Sequence, residues 1–235
     1  MMRKSWFFGV IFTIILAIPL SLWAEDEIEI PPTEMQNHPE QTFSVPMGSW
    51  LTFTQDRKHE LDFQDALRSI AAKNVDQAEN ELRTAGSFLK IEESRATSEG
   101  LVVLKKARTD LADLGKNLKA GMVVPVAEVE MLFGHTDYAL AKHSLSVAEQ
   151  EFADQRIDVA GFDLLHFVTD FSTACDWAKV EIDPQTQAEL NSVQAAGGQL
   201  RLGGNFDPDL VAAAFSTGKG LLEKFAATLS PAAKG

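Results

Sequence analysis

Ala66-Leu67-Arg68-Ser69-Ile70-Ala71-Ala72-Lys73-Asn74-Val75-Asp76-Gln77-Ala78-Glu79-Asn80-Glu81-Leu82 returns further along the chain as Ala148-Glu149-Gln150-Glu151-Phe152-Ala153-Asp154-Gln155-Arg156-Ile157-Asp158-Val159-Ala160-Gly161-Phe162-Asp163-Leu164. An ungapped offset of 82 matches Ala66 with Ala148, Ala71 with Ala153, Asp76 with Asp158, Ala78 with Ala160 and Leu82 with Leu164. The register continues through Gly115 and Gly197, Leu118 and Leu200, Gly121 and Gly203, Val129 and Val211, and Phe133 and Phe215. Identities that fall on Ala, Leu, Gly and Asp at fixed spacing read as an internal duplication. Residues 61 to 133 are therefore expected to repeat the helix order of residues 143 to 215.

Working outward, apolar residues recur at helical spacing: Leu61, Phe63, Leu67 and Ile70; then Ala78, Leu82, Ala85 and Leu89; then Leu101, Leu104, Leu111, Leu114 and Leu118. Asp76 and Asp158 read as caps, and Gly121 and Gly203-Gly204 as stops. Pro125, Asp183-Pro184 and Asp207-Pro208 read as starts. From Val126 the pattern runs to Phe152 with Gly134 as a weak break, which predicts one long helix or a kinked pair. No segment alternates as a strand does. The expected fold is all-α, with about seven helices in two pseudo-repeated antiparallel bundles sharing a long central helix. The first repeat spans 50–134, the second 135–230, and 231–235 is a tail. Ala71 and Ala78, like Ala153 and Ala160, are expected to face each other where paired helices come closest.

Arg3 and Lys4 precede an uncharged apolar run from Trp6 to Trp23, which ends at Ala24 before Glu25-Asp26-Glu27. Residues 1–24 read as a secretory signal peptide, with an uncleaved membrane anchor as the alternative. The remaining chain is expected in the periplasm or secreted, or held by its anchor outside the cytoplasm. Residues 25–49, acidic and carrying Pro31, Pro32, Pro39 and Pro46, read as a flexible linker. The formal charge of −13 argues against nucleic acid as a partner. No membrane contact is expected beyond the first segment. Cys175 is the only cysteine, so no internal disulfide can form, and it reads as a small core residue.

The Ala and Leu spacing around Asp76 and Asp158 resembles that of tetratricopeptide repeats, but the period is about twice too long and that family's Trp, Gly, Tyr and Pro positions are missing. Ala78-Glu79-Asn80-Glu81-Leu82-Arg83-Thr84-Ala85-Gly86 and Ala107-Arg108-Thr109-Asp110-Leu111-Ala112-Asp113-Leu114 resemble runs in YfdX-type exported helical proteins. That resemblance implies a periplasmic, stress-associated helical protein, and it carries over no site residues.

For chemistry, the chain has no glycine-rich phosphate loop, nucleophile elbow, Cys-x-x-Cys pair or His-Glu-x-x-His. Asp163-Leu164-Leu165-His166 places a carboxylate and an imidazole on one helical face, which is half of the unit that binds iron in di-iron bundles. At the equivalent first-half positions stand Glu81 and Thr84, so the second histidine is absent. His135 and His143 are eight apart, turned roughly 80° from each other on a straight helix. Asp163, His166, His143 and His135 are thus the candidate metal ligands, against a reading as surface or hydrogen-bonded groups. Trp50 and Trp177, each flanked by polar residues, are candidate partner-binding side chains, against core packing. No cofactor is expected. The overall expectation is a non-enzymatic exported helical module that binds another protein or a small ligand, with a metal- or cofactor-binding bundle as the alternative.

Overall fold

The computed structural model describes residues 47–203 and 205–229, with side chains from residue 59 onward. Seven helices follow one another: α1 (Met47–Ala71), α2 (Val75–Glu92), α3 (Ser98–Lys119), α4 (Val126–Ala153), α5 (Ile157–Ala178), α6 (Pro184–Arg201) and α7 (Pro208–Leu229). The described residues contain no strand. Signal segment, linker and Gly204 lie outside the described residues, except that α1 begins at Met47, three residues inside the stretch read as linker. None of the described helices is long and apolar enough to cross a membrane.

Each helix packs on its neighbour in sequence, as short connections require. In addition α4 meets both α1 and α7, so α1–α4 and α4–α7 form two bundles with α4 in common. The hydrophobic cores divide along α4. Ala139 and Leu140 join Phe63, Leu82, Leu104, Leu111 and Phe133, whereas Ala141, Leu145 and Ala148 join Leu164, Phe167, Leu190, Leu200 and Phe215. Gly134 does not break this helix. A β-carbon there would come within 3.1 Å of Ala178, so the glycine lets α5 pack close.

Helix ends recur at the offset of 82. Ala71 and Ala153 end α1 and α4, Val75 and Ile157 start α2 and α5, Lys119 and Arg201 end α3 and α6, and Val126 and Pro208 start α4 and α7. The turns match in detail. Lys73 (φ 58°) and Gln155 (φ 63°) take the left-handed conformation, as do Gly121 (φ 78°) and Gly203 (φ 63°). The bonds Asn74 N–H to Ser69 O and Arg156 N–H to Glu151 O, both 2.8 Å, close corresponding turns. The halves differ in length at α5, which runs on to Ala178 before a left-handed Lys179 (φ 56°).

Two local readings are corrected. Asp76 and Asp158 are not caps: Asn74 caps α2 by accepting from Gln77 N–H, and α5 follows Arg156 without a side-chain cap. Both aspartates sit instead in the first turn, where a carboxylate offsets the positive end of the helix dipole. Ala71 and Ala153, the last residues of their helices, are exposed, because the turn carries them past the packed face. The buried small residues flanking each turn are Ala66 with Ala78, and Ala148 with Ala160. By contrast Asp183 caps α6 as its Asp-Pro pair predicts, accepting from Thr186 N–H at 2.7 Å. Cys175 is buried, and burial pushes its thiol up to about 12, consistent with a packing residue.

Candidate functional site

Two features of the described residues could carry function: a largely buried polar cluster between the bundles, and a groove along α2 and α3. The cluster begins where α2 ends. Glu92 and Arg95 are three apart, and Arg95 Nε donates to Glu92 Oε2 at 2.7 Å while its Nη1 donates to Asp163 Oδ1 on α5 at 2.8 Å. His143 Nε2 of α4 lies 3.2 Å from the same Glu92 oxygen. His143 and Asp163 are wholly buried and Glu92 almost so. The backbone leaves room for that imidazole because residue 100 is glycine: a β-carbon there would stand 3.0 Å from His143 Nδ1. His166, one turn along from Asp163, packs its ring against Phe162 with centroids 4.2 Å apart. Nearby, Ser144 donates to Asp170 at 3.0 Å.

One guanidinium faces two buried carboxylates, and their acidities diverge as that shortage of positive charge demands. For Glu92, burial raises the pKa, but the His143 hydrogen bond and the charge of Arg95 outweigh it and hold the carboxyl at about 2. For Asp163, burial dominates and raises the pKa despite Arg95. The Arg95 guanidinium is held above its ordinary value, since Asp163 and Glu92 outweigh its own desolvation. The carboxylates and the His143 imidazole of the cluster are thus buried, while the Arg95 side chain that joins them is 32% exposed.

Three of the four candidate metal ligands, Asp163, His166 and His143, come together here, but with Arg95 among them. His135 stands apart: it is exposed on α4, and its pKa is lowered by partial burial and by Lys106, against Asp110. Among the described residues no three His, Cys, Asp or Glu side chains are grouped to hold a metal. A second buried pair, which the sequence reading did not identify, is His59 Nε2 with Asp137 Oδ1 at 3.2 Å, the imidazole stacked on Phe88. Burial raises the pKa of Asp137. Trp177 is half-buried and sets its ring edge-on to Phe133 (5.2 Å) and Phe63 (6.4 Å), tying α5 to the first core. Trp50 lies in the first turn of α1, with its side chain outside the described residues.

The groove has a volume of about 340 Å³ and runs along the outer seam of the antiparallel pair α2 and α3. Residues 79, 82, 83, 86, 87 and 90 face residues 108, 111, 112, 115, 116 and 119, each set spaced three, four and seven as one helical face requires. Leu82 and Leu111, almost wholly buried, lie beneath it, and exposed Ala112 lines it with the aliphatic stems of the basic residues. Arg83, Lys90, Arg108, Lys116 and Lys119 line it against the single carboxylate of Glu79. No histidine or cysteine lines it. One end is closed by Lys119 and Glu79 at 3.2 Å, and Arg108 reaches Glu93 at 2.5 Å near the other. No protein-family model, curated protein or solved structure matches the chain.

Proposed function

We propose that this chain is a non-enzymatic binding module of the cell envelope that holds a small ligand in the groove between α2 and α3. The observation that carries the reading is the separation of the two features. The Glu92 and Asp163 carboxylates and the His143 imidazole are buried and held together through Arg95, whereas the groove offers solvent-facing basic side chains and no histidine or cysteine. Its volume is at the small end of ordinary ligand sites. Export is supported by Arg3, Lys4 and the apolar run to Trp23, and a stress-associated role by the likeness to YfdX-type proteins.

The test is to isolate the folded chain without a tag from cells that express it and examine it by native mass spectrometry. A bound small molecule of defined mass should accompany the parent and be lost from Gly86→Phe, whose ring would occupy the groove. An equal load of the same species on both proteins would overturn the reading.

A further inference from the structure

Resting on that reading, we infer that the groove is selective for an organic anion with an apolar body, seated with its carboxylate, phosphate or sulfonate on the basic rim and its body against Gly86, Ala112 and the aliphatic stems of the basic side chains. The protein is strongly acidic, with 21 basic residues against 34 acidic ones, yet five of those bases line this one groove. A cleft lined mainly by one sign of charge focuses its field and concentrates the opposite sign. Lys90 pairs with no carboxylate among the described residues, and Arg83 donates only to Asn80, at 2.7 Å. Both side chains are exposed and can close on a ligand without breaking an ion pair.

The second half supplies an internal control, because its matching helix pair lacks the charge and approaches more closely at Gly161. At the positions 82 residues on from Arg83, Lys90, Arg108 and Lys116 stand Leu165, Ser172, Leu190 and Gly198, and only Lys119 has a basic counterpart, Arg201. Gly161 takes the place of Glu79, and a β-carbon on it would lie 2.4 Å from the Arg201 nitrogen, so α5 and α6 pack backbone to backbone there. In the first half the Glu79 side chain occupies that space, with its Cγ 3.4 Å from where a β-carbon on Gly115 would be. The basic groove is therefore a property of α2 and α3 and not a requirement of the helix pairing.

Two dyes that share an apolar body separate charge from burial: anilinonaphthalenesulfonate and its neutral analogue N-phenylnaphthylamine, titrated by fluorescence into the full-length folded chain. The sulfonate should bind with one-to-one stoichiometry about tenfold or more tighter than the neutral dye at low salt, with the gap narrowing as salt rises. Arg83→Glu combined with Lys90→Glu, on the two exposed side chains that no carboxylate holds, should remove that gap and leave the neutral dye unchanged. Gly86→Phe should abolish the binding of both. Equal affinity for the two dyes, still sensitive to Gly86→Phe, would overturn the anion selectivity and leave the binding-module reading standing. Dye binding insensitive to Gly86→Phe, or no binding, would remove both.

Discussion

Arg95 reaches across 68 residues of sequence to donate to Asp163 at 2.8 Å, and the same guanidinium holds Glu92 three residues before it. Among the described residues this ion pair joins the end of α2 to α5, and so links the first bundle to the second. Replacing Arg95 with Met leaves two buried carboxylates without their cation and should cost roughly 3–5 kcal/mol in denaturant unfolding. Adding Asp163→Leu should recover much of that loss. A loss below about 1 kcal/mol, the scale of an exposed pair, would mean that the network is not the joint between the bundles.

The acid response follows from Glu92. Its folded pKa of about 2 lies below the ordinary 4.5, so its contribution is complete above pH 4.5 and is lost as pH falls through about 2. That contribution is on the order of 3 kcal/mol. Asp163 and Asp137 have the opposite sign: burial raises their pKa values, so what they contribute is present below 3.8 and is lost as pH rises through their folded values. Melting temperatures taken from pH 2 to 8 should show a shallower acid limb for Glu92→Gln than for the parent. Asp137→Asn should flatten the decline on the rising side. An unchanged acid limb in Glu92→Gln would contradict the assignment.

Two glycines at helix-interior positions should respond oppositely to the same substitution. Gly86→Ala adds a β-carbon in ordinary contact with Arg108 Cγ at 3.7 Å and gains helix propensity, a stabilisation of about 0.5–1 kcal/mol. Gly161→Ala drives its β-carbon into the α6 backbone at 2.4 Å and should destabilise by about 1–3 kcal/mol or more. A Gly161→Ala variant that melts no lower than the parent would show that α5 and α6 are not in close approach, and a destabilised Gly86→Ala would show that the space beside Arg108 is not free.

Ala78 and Ala160 are each fully buried beside corresponding turns. Enlarging either to Leu should cost roughly 1–3 kcal/mol through overpacking, with similar values in the two halves. Unmoved melting temperatures would contradict the packing of α2 on α1 and of α5 on α4.

Much of the fold was legible because its punctuation is local. Pro125, Asp183-Pro184, Asp207-Pro208 and Gly121 mark helix ends through backbone geometry that needs no tertiary partner. The cap at Asn74 was misassigned to Asp76 because both residue types accept from a first-turn N–H, and only the backbone decides which stands outside the helix. Glu92 and Arg95 look like an ordinary exposed pair three residues apart. Their inward turn depends on His143 and Asp163, which the chain brings up only through tertiary packing. A signal for half of the cluster was present: Asp163 lies within the apolar face of Ala160, Leu164 and Phe167, where a carboxylate must find a cation. The groove had a signal too, in basic residues spaced seven, eight and eleven apart beside Leu82 and Leu111. What the sequence could not give is the width of the seam, which depends on Glu79 standing where the other half has Gly161.

The central claim, that the α2–α3 seam is where this protein binds, is tested most directly by amide chemical shifts of the isotope-labelled chain during titration with anilinonaphthalenesulfonate. The account predicts that the largest saturable shifts fall on Leu82, Gly86, Lys90, Leu111 and Gly115, with the matching residues Leu164, Val168, Ser172, Val193 and Gly197 unmoved. Shifts centred on α5 and α6, or spread without saturation over both bundles, would contradict it.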